Sequence, residues 1–513
     1  MDALQQLSLE TINKGKQAIV FLPSRSSAEK AAEDISKLTA LQLPQLEKDI
    51  LHAVSTPTKQ CRRLSHCIRK GVAFHHAGLT QKQKDLIEDG FREGTIKIVC
   101  STPTLAAGLS LPAYRVIIKS LKRYTGSWGM DWIPVLEYLQ MAGRAGRPEY
   151  EKEGQSIVIA KDENEQQEIY EKYICGVPEE IYSKLAVEPV LRTYLLSLIS
   201  AGIIRNEKSM MDFFSKTFWA QQFGDMPKLE AIMMRMLQLL EKWGFIVIGS
   251  GQAKSDFVSA NTLHNTLHNS RTLQPTLIGK RVSELYLDPL TAWHFLECLS
   301  HVDEKKNEFS LLQMISHTLE LRPLLRVRGK QQEKIQEHLV KNYDQLLPPE
   351  PSAFDPEYDE FLNSIKTALF FESWIDECDE EYLFEQFDIR PGEIKVKLDT
   401  ADWLLYSCDE LAKIKNYRHA TKMIAKLRLR LKDGVKEELL VLLKLKGIGR
   451  IRARRLFSQG IKDIGDVKTT DITALGQILG KAVAEDIKKQ VGEEIVEIKK
   501  GARKGQLSVL KFG

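Results

Sequence analysis

"KQAIVFLPSRSSAEKAAEDISKL", Lys16 to Leu38, sets an aliphatic run, a proline–serine turn and an amphipathic stretch in succession. A short continuous apolar run bounded by turn residues reads as a buried strand, and the serines after it supply the N-cap of a helix. The same alternation recurs downstream: "TIKIVCSTP", "YRVIIKS" and "QSIVIAK" each read as a strand between amphipathic segments. From Lys16 to about Ala160 the pattern therefore implies a parallel α/β sheet with functional loops at the strand ends.

After roughly Pro178 the pattern becomes helical. "LRTYLLSLISAGII" and "KLEAIMMRMLQLLEKWGFIVIGS" end in a Gly-aromatic turn and a short β segment, the order of a winged helix. The polar stretch "SANTLHNTLHNSRTLQP" leads into a longer all-helical region to about Arg430, interrupted by the Pro-rich loop "QLLPPEPSAFDPEYDE". Beyond Lys432 lies a compact basic module, and "KKGARKGQLSVLKFG" reads as a tail.

A chain of 513 residues has room for roughly three or four domains at about 150 residues each. Its 73 Lys and Arg against 69 acidic residues leave a formal charge of +4, so a polyanion must be met by local patches. Seven cysteines without a repeated spacing imply a reducing, intracellular compartment. "CRRLSHC", with His75 and His76 beyond it, lacks a C-x-x-C hook, and its cysteines fall on different helix faces, which speaks against zinc. No apolar run approaches the roughly 20 residues of a membrane span, and "MDALQQLSLE" has no signal-peptide core. The expectation is a soluble, cytoplasmic protein.

"QMAGRAGRP", Gln140–Pro148, puts Arg144 and Arg147 three residues apart behind glycines. Arginine offers a planar fork that matches phosphate oxygens, two at this spacing share a helix face, and Gln140 one turn earlier can orient a water. Taken alone, the stretch reads equally well as a solvated basic face. Upstream, "STPTLAAGLSLPA", Ser101–Ala113, empties an apolar strand into small hydroxyls and glycine, suited to a nucleic-acid phosphate on one side and nucleotide on the other. The phosphate loop G-x-x-x-x-G-K-[ST] has no match in the chain. "DECD", Asp376–Asp379, looks like a metal-holding box but stands in a helical region and after the arginines, against a Mg²⁺ role.

"AIVFLPSRSSAEKAA", "FHHAGLTQKQKDLIEDGFREGTIKIVC", "STPTLAAGLSLPA" and "QMAGRAGRP", in this order, resemble motifs IV, IVa, V and VI of the second motor domain of superfamily 2 helicases. With "FESWIDECDEEYLFEQFDIRPGEIKVKLDTADWLLYS" and the basic end, nearly the whole chain resembles the archaeal Hjm-type DNA helicases, a Ski-like branch related to the helicase part of polymerase theta. The resemblance implies a multidomain fold. An α/β RecA-like second motor domain spans 1–178, a winged helix 179–262, an all-α ratchet domain 263–432, a helix-hairpin-helix module 433–500 and a tail 501–513. It implies ATP with Mg²⁺, held mainly by a first motor domain absent from this sequence. Arg144 and Arg147 become arginine fingers, with Gln140 and Gly108 beside the nucleotide. Arg25, His76 and Thr102 fall in the motifs that face nucleic acid.

"SLKRYTGSWGMDWIPVLEY" carries a hairpin signal around Gly126 to Gly129. In the resembled family a hairpin here separates the duplex, which makes Tyr124, Trp128 and Trp132 wedges or, equally, packing at the hairpin base. The family's ratchet helix stacks an aromatic on a base, matched by Trp403. Its basic partner seven residues earlier is Val396 here, so Lys395 or Lys397 would have to substitute; a tryptophan at that spacing can also be core. "LLKLKGIGRIRARRLFSQGI" reads as a helix-hairpin-helix, in which Gly447 and Gly449 let amides approach a phosphate while Arg450, Arg452 and Arg454 clamp the backbone. The alternative is a solvated basic helix. Gln506, Val509 and Phe512 are spaced as in a sliding-clamp-binding box, or belong to a frayed end.

The function expected is the C-terminal portion of an ATP-dependent 3′-to-5′ DNA helicase acting on forked or branched DNA in fork repair and recombination, and inactive alone. One alternative is a stand-alone DNA-binding subunit of a split helicase, completed by a separate first motor domain. Another is a fragment of a Ski-type RNA helicase.

Overall fold

A computed structural model describes residues 1–54, 57–103, 105, 111, 113–124, 129–146, 153–249 and 271–492. The chain forms two units, Met1–Tyr182 with Glu380–Val396, and Ser183–Asp379 with Lys397 onward.

The first unit begins with α1 (Ala3–Asn13) and β1 (Ala18–Phe21). All four residues of β1 are buried, as expected of a central strand covered on both faces. The helix after it, α2 (Arg25–Ser36), starts at Ser24, whose hydroxyl accepts the Ser27 N–H in a capping box. Helices α3 (Pro44–His52) and α4 (Lys59–Arg69) lead to β2 (Val72–His75), α5 (Gln81–Arg92) and β3 (Ile98–Ser101). Then come β4 (Arg115–Ile118), the antiparallel pair β5 (Lys122–Tyr124) and β6 (Met130–Trp132), α6 (Val135–Ala142), β7 (Gln155–Val158) and α7 (Glu163–Ile169). The five-stranded sheet has the order β2-β3-β1-β4-β7 and is parallel at every pairing. In register, Ala18 lies between Ile98 and Arg115, so the carboxyl ends of β1 to β4 rise on the same edge. Buried Arg115 fastens this sheet to α1, donating to the Leu7 carbonyl at 2.8 Å, and to β7, donating to Gln155 Oε1 at 2.7 Å.

The second unit opens with α8 (Glu188–Ser200), α9 (Glu207–Phe214), α10 (Phe218–Phe223) and α11 (Met226–Lys242), followed by β8 (Ile246–Gly249). Strand β9 (Thr272–Pro275) pairs antiparallel with β8, Ile246 facing Pro275. The partner strand thus lies beyond the boundary expected at 262. Helices α12 (Leu277–Glu284), α13 (Pro289–Ser300), α14 (Glu308–Ser316), α15 (Gly329–Lys341) and α16 (Tyr358–Ile375) follow. Fully buried Phe361, Phe370 and Phe371 make α16 an apolar axis of this part.

The chain then returns to the first unit with α17 (Glu380–Phe387) and the opening residues of α18 (Pro391–Ile414). There the Gly392 N–H donates to the Gly78 carbonyl at 3.1 Å, and Lys59 pairs with Glu381 at 3.0 Å. The second unit closes with the rest of α18, α19 (Arg418–Asp433), and the short helices α20 (Arg450–Ser458), α21 (Ile464–Thr469), α22 (Ile472–Leu479) and α23 (Lys481–Gln490). The end module has its own apolar core, including Leu442, Ala453, Leu456, Leu475 and Ile487.

Candidate nucleic-acid cleft

The loops at the carboxyl ends of β1 to β4 converge on one cavity of about 840 Å³. Such a crevice outside the strand ends is where open α/β sheets bind ligands. Arg25 and Ser26 come from the first loop, Thr102 from the third, Lys122 and Arg123 from β5, and Gln140 from α6. Hydroxyls and cations of this kind suit a phosphate backbone. Each of these cations already has a carboxylate partner. Arg25 donates to Glu393, Lys122 meets Glu165 at 3.1 Å, and Arg123 meets Glu137 at 2.9 Å. A phosphate at this site would exchange for an existing partner.

His76, expected to touch a strand, has a fully buried side chain. The Gly78 N–H donates to its Nδ1 at 3.1 Å, so Nε2 carries a proton and points to Glu29 Oε1 at 3.1 Å. The ring also stacks on Phe74 at 5.5 Å. This corrects the expectation: His76 supports the loop from beneath and presents no surface to a ligand. Glu29 gathers further donors, Gln60 at 2.9 Å and Arg63 at 2.6 Å, with Arg390 at 3.7 Å. Burial works against its ionisation, yet the hydrogen bonds from His76 and Gln60 and the nearby charges outweigh it and hold the carboxyl at about 2. Neighbouring His75 faces Glu88 at 3.1 Å, and burial pulls it down to about 4. Cys61 contacts the Thr58 hydroxyl and Gln83, while burial pushes the Cys67 thiol up to about 12. Among the described residues no three His, Cys, Asp or Glu side chains converge as a metal site.

The hairpin is present, with Lys122 opposite Trp132 and Tyr124 opposite Met130. Tyr124 is 69% exposed at the strand end. Trp132 instead packs at the base, 5.8 Å from Tyr173 with the Lys122 ammonium 4.0 Å over its ring. Trp128 lies outside the described residues.

At the start of α6, the Glu179 carboxylate accepts the backbone N–H groups of Val135 and Leu136 at 2.6 and 3.2 Å. Gln140 is exposed on the same helix, and Arg144 follows on the turn after it. The Arg144 carbonyl accepts the Ala113 N–H at 3.0 Å, and the Gly146 N–H donates to the Ala113 carbonyl at 2.9 Å. The arginine turn is thus tied to the end of the "STPTLAAGLSLPA" loop. Gly146, at φ 63°, lies so close to Gly154 that a Cβ would strike its backbone nitrogen. At this position the glycine serves a close approach within the chain's own fold. Arg147 and Gly108 lie outside the described residues.

In the second unit the half-buried Trp403 donates its indole N–H to the Leu285 carbonyl at 3.2 Å. Lys397 is committed to the carbonyls of Leu321 and Pro323, the latter at 2.8 Å. Lys395 is exposed, as is Val396 in the first unit's share of α18. In the end module, Gly447 takes φ 83° before α20, and a Cβ there would meet open space, so the turn's backbone is sterically accessible. Gly449 is the N-cap of α20. The arginines divide. Arg454 grips Glu377 through two bonds at 2.6 and 2.7 Å and Glu438 at 2.7 Å. Arg450 lies 4.7 Å over the Trp374 ring. Arg452, exposed, donates to the Gly447 carbonyl at 2.7 Å. Its hydrogen bonds to the Glu377 carboxylate raise the Arg454 guanidinium further above its ordinary range. Within the "DECD" stretch, Glu377 is therefore an ion-pair partner of the end module.

Residues 1–149 match the family described as helicase conserved C-terminal domain, and residues 309–434 match archaeal helicase, domain 4. Over 96% of its length the chain is 35% identical to the ATP-dependent DNA helicase Hel308 of Methanococcus vannielii, covering 68% of that protein. The chain belongs to the Hel308 family. The protein of the same name from Methanocella arvoryzae is 35% identical over 96% of this chain and 65% of its own length, and that from Pyrococcus abyssi over 98% and 68%. The chain thus spans about two thirds of these Hel308 proteins. The first match covers β1 to β6 and α1 to α6, with most of the residues that line the cleft, and the second covers α16, α18 and α19.

Sequence reading missed two members of this Hel308-type chain's network, Glu29 and Arg390. Glu29 sits in the helix after the "FLPS" turn and reads there as a solvated acid. A usable signal was its i, i+4 pairing with Glu33, two carboxylates on one helical face, which Arg63 bridges.

Proposed function

We propose that this chain supplies the second motor domain and the DNA-handling modules of an ATP-dependent DNA helicase that unwinds forked or branched DNA with 3′-to-5′ polarity in fork repair and recombination. The observation that carries the reading is the cleft at the carboxyl ends of β1 to β4. Arg25, Thr102 and Gln140, singled out by motif position alone, line one cavity there. The names of the Hel308 relatives support DNA as the substrate and ATP as the fuel.

Bound ATP with Mg²⁺ would supply the phosphoryl group whose transfer to water drives the motor. Gln140 and Arg144, four residues apart at the end of α6, fit that group by donor chemistry, one orienting water and the other meeting charge that develops on the phosphate. Arg147 would add a second fork of donors. The G-x-x-x-x-G-K-[ST] loop occurs nowhere in the 513 residues, so the reading places nucleotide on a first motor domain outside this sequence, in the same polypeptide or another. In the second unit, Trp403 would stack on a base, and the turn at Gly447 with Arg452 would hold a phosphate without reading sequence.

The test is ATP hydrolysis stimulated by single-stranded DNA, for the chain alone and with a first motor domain of the family added. Activity is expected on mixing, reduced about 10³- to 10⁵-fold by Arg147→Ala. Hydrolysis by the chain alone would overturn the assignment of nucleotide to another domain. Equal stimulation by a matched RNA strand would overturn the choice of DNA.

A further inference from the structure

We propose that Tyr286 is a second base-stacking residue for single-stranded DNA, working beside Trp403. The proposal rests on the reading of the chain as a DNA helicase and adds a contact to it.

Helix α12 ends in a hydrogen-bond pattern that normally requires glycine. The Tyr286 N–H donates to the Ser283 carbonyl at 3.1 Å, and the Leu287 N–H to the Val282 carbonyl at 3.3 Å. These two bonds place Tyr286 at the left-handed position after the helix, at φ 55°. Glycine is favoured there because any Cβ is penalised, and a bulky residue is an outlier. Packing does not compensate, since Tyr286 is 84% exposed. A strained residue whose ring gains no burial points to a function for the ring.

Its surroundings say which function. The peptide that joins Leu285 to Tyr286 presents the carbonyl that receives the Trp403 indole N–H at 3.2 Å. Tyr406, three residues after Trp403 on the same helix, accepts a hydrogen bond from Arg281 at 3.3 Å and lies under Arg428 at 5.1 Å. Arg281 comes from α12, the helix that Tyr286 terminates. Aromatic rings interleaved with guanidinium groups form the surface on which unpaired bases stack. Stacking ignores base identity, which suits a protein moving along a strand.

The experiment uses the full chain and a fluorescein-labelled oligothymidylate, with affinity read by anisotropy and local folding by the urea midpoint of hydrogen exchange in peptides from α12. Tyr286→Gly should weaken binding about 5- to 100-fold, while the midpoint holds or rises because glycine relieves the backbone. Tyr286→Phe should bind like the wild type. Unchanged affinity in Tyr286→Gly, with Trp403→Ala weakened, would overturn the proposal and leave the helicase reading standing. If neither substitution alters binding, both fail. A fall in affinity with a parallel fall in midpoint, not restored by phenylalanine, would mark Tyr286 as structural and also overturn it.

Discussion

Glu29→Gln removes a charge whose side chain is 5% exposed and which is met by His76 at 3.1 Å, Gln60 at 2.9 Å and Arg63 at 2.6 Å. Burial disfavours the carboxylate, but these partners hold it at about 2, against 4.5 unperturbed. At about 1.4 kcal/mol per pH unit this gap corresponds to about 3 kcal/mol of folding stability. Arg63 is 41% exposed, so solvent screens part of the pair, and about 2 kcal/mol is expected for the glutamine variant at neutral pH. The folded-state value is the lower one. The contribution is therefore complete above about 4.5 and is lost as pH falls toward 2, with more than half gone by about pH 3.

A chain of two units has no single unfolding free energy, so the measurement must be local. Pulsed hydrogen exchange along a urea series, read on peptides from α2 and β2, gives a midpoint for the segment that carries Glu29 and His76. The variant should lose protection at lower urea at pH 7, and its gap from the wild type should shrink to under about 1 kcal/mol at pH 3. Coincident midpoints at pH 7, or a gap of the same size at pH 3, would refute the assigned role of the carboxylate.

Arg454→Ala leaves the half-buried Glu377 without its cation and should lower the exchange protection of α20 by about 1–2 kcal/mol. Arg452→Ala should leave stability within about 0.5 kcal/mol but reduce the salt slope of DNA binding by about 1, measured by titration at several salt concentrations. Tyr124→Ala should slow strand displacement by the assembled enzyme without altering stability by more than about 0.5 kcal/mol. Trp132→Ala should destabilise the hairpin and its packing on Tyr173 by about 2 kcal/mol, seen as lost protection of β5 and β6.

The strands at Ala18, Ile98, Arg115 and Gln155 were legible because each is a short aliphatic run closed by turn residues, and the Ser24 cap because serine there has a local partner. Strand β2 was harder, since "VAFHH" ends in two histidines that read as chemistry and prove to be buried supports. The pairing of β8 with β9 reaches past the boundary at 262 drawn from the resemblance, because the sequence between the two strands is polar and carries no strand signal. The site was legible in its local residues and opaque in its pairings. Arg25 finds Glu393 across 368 positions and Arg454 finds Glu377 across 77, and no period or spacing in a single sequence encodes such partners. Arginines were therefore counted as available to phosphate when the fold had given some of them carboxylates.

That pairing bears on how the cleft would work. An isolated arginine facing phosphate through several charge-assisted bonds would hold it tightly, and a motor must release its strand at every step. Arg25, Lys122 and Arg123 each begin from a carboxylate partner, so a phosphate gains only the difference between two similar interactions. The partners also differ in place: Glu137 belongs to α6, the helix whose following turn carries Arg144, whereas Glu165 and Glu393 belong to other elements. On the proposed reading, a movement of α6 as Arg144 meets nucleotide would draw Glu137 from Arg123 and leave that cation to the strand. Nucleotide binding would then strengthen one phosphate contact while the other two stay balanced. On that reading, a grip that changes at one of three cations would give directionality to a cleft that otherwise held its strand loosely.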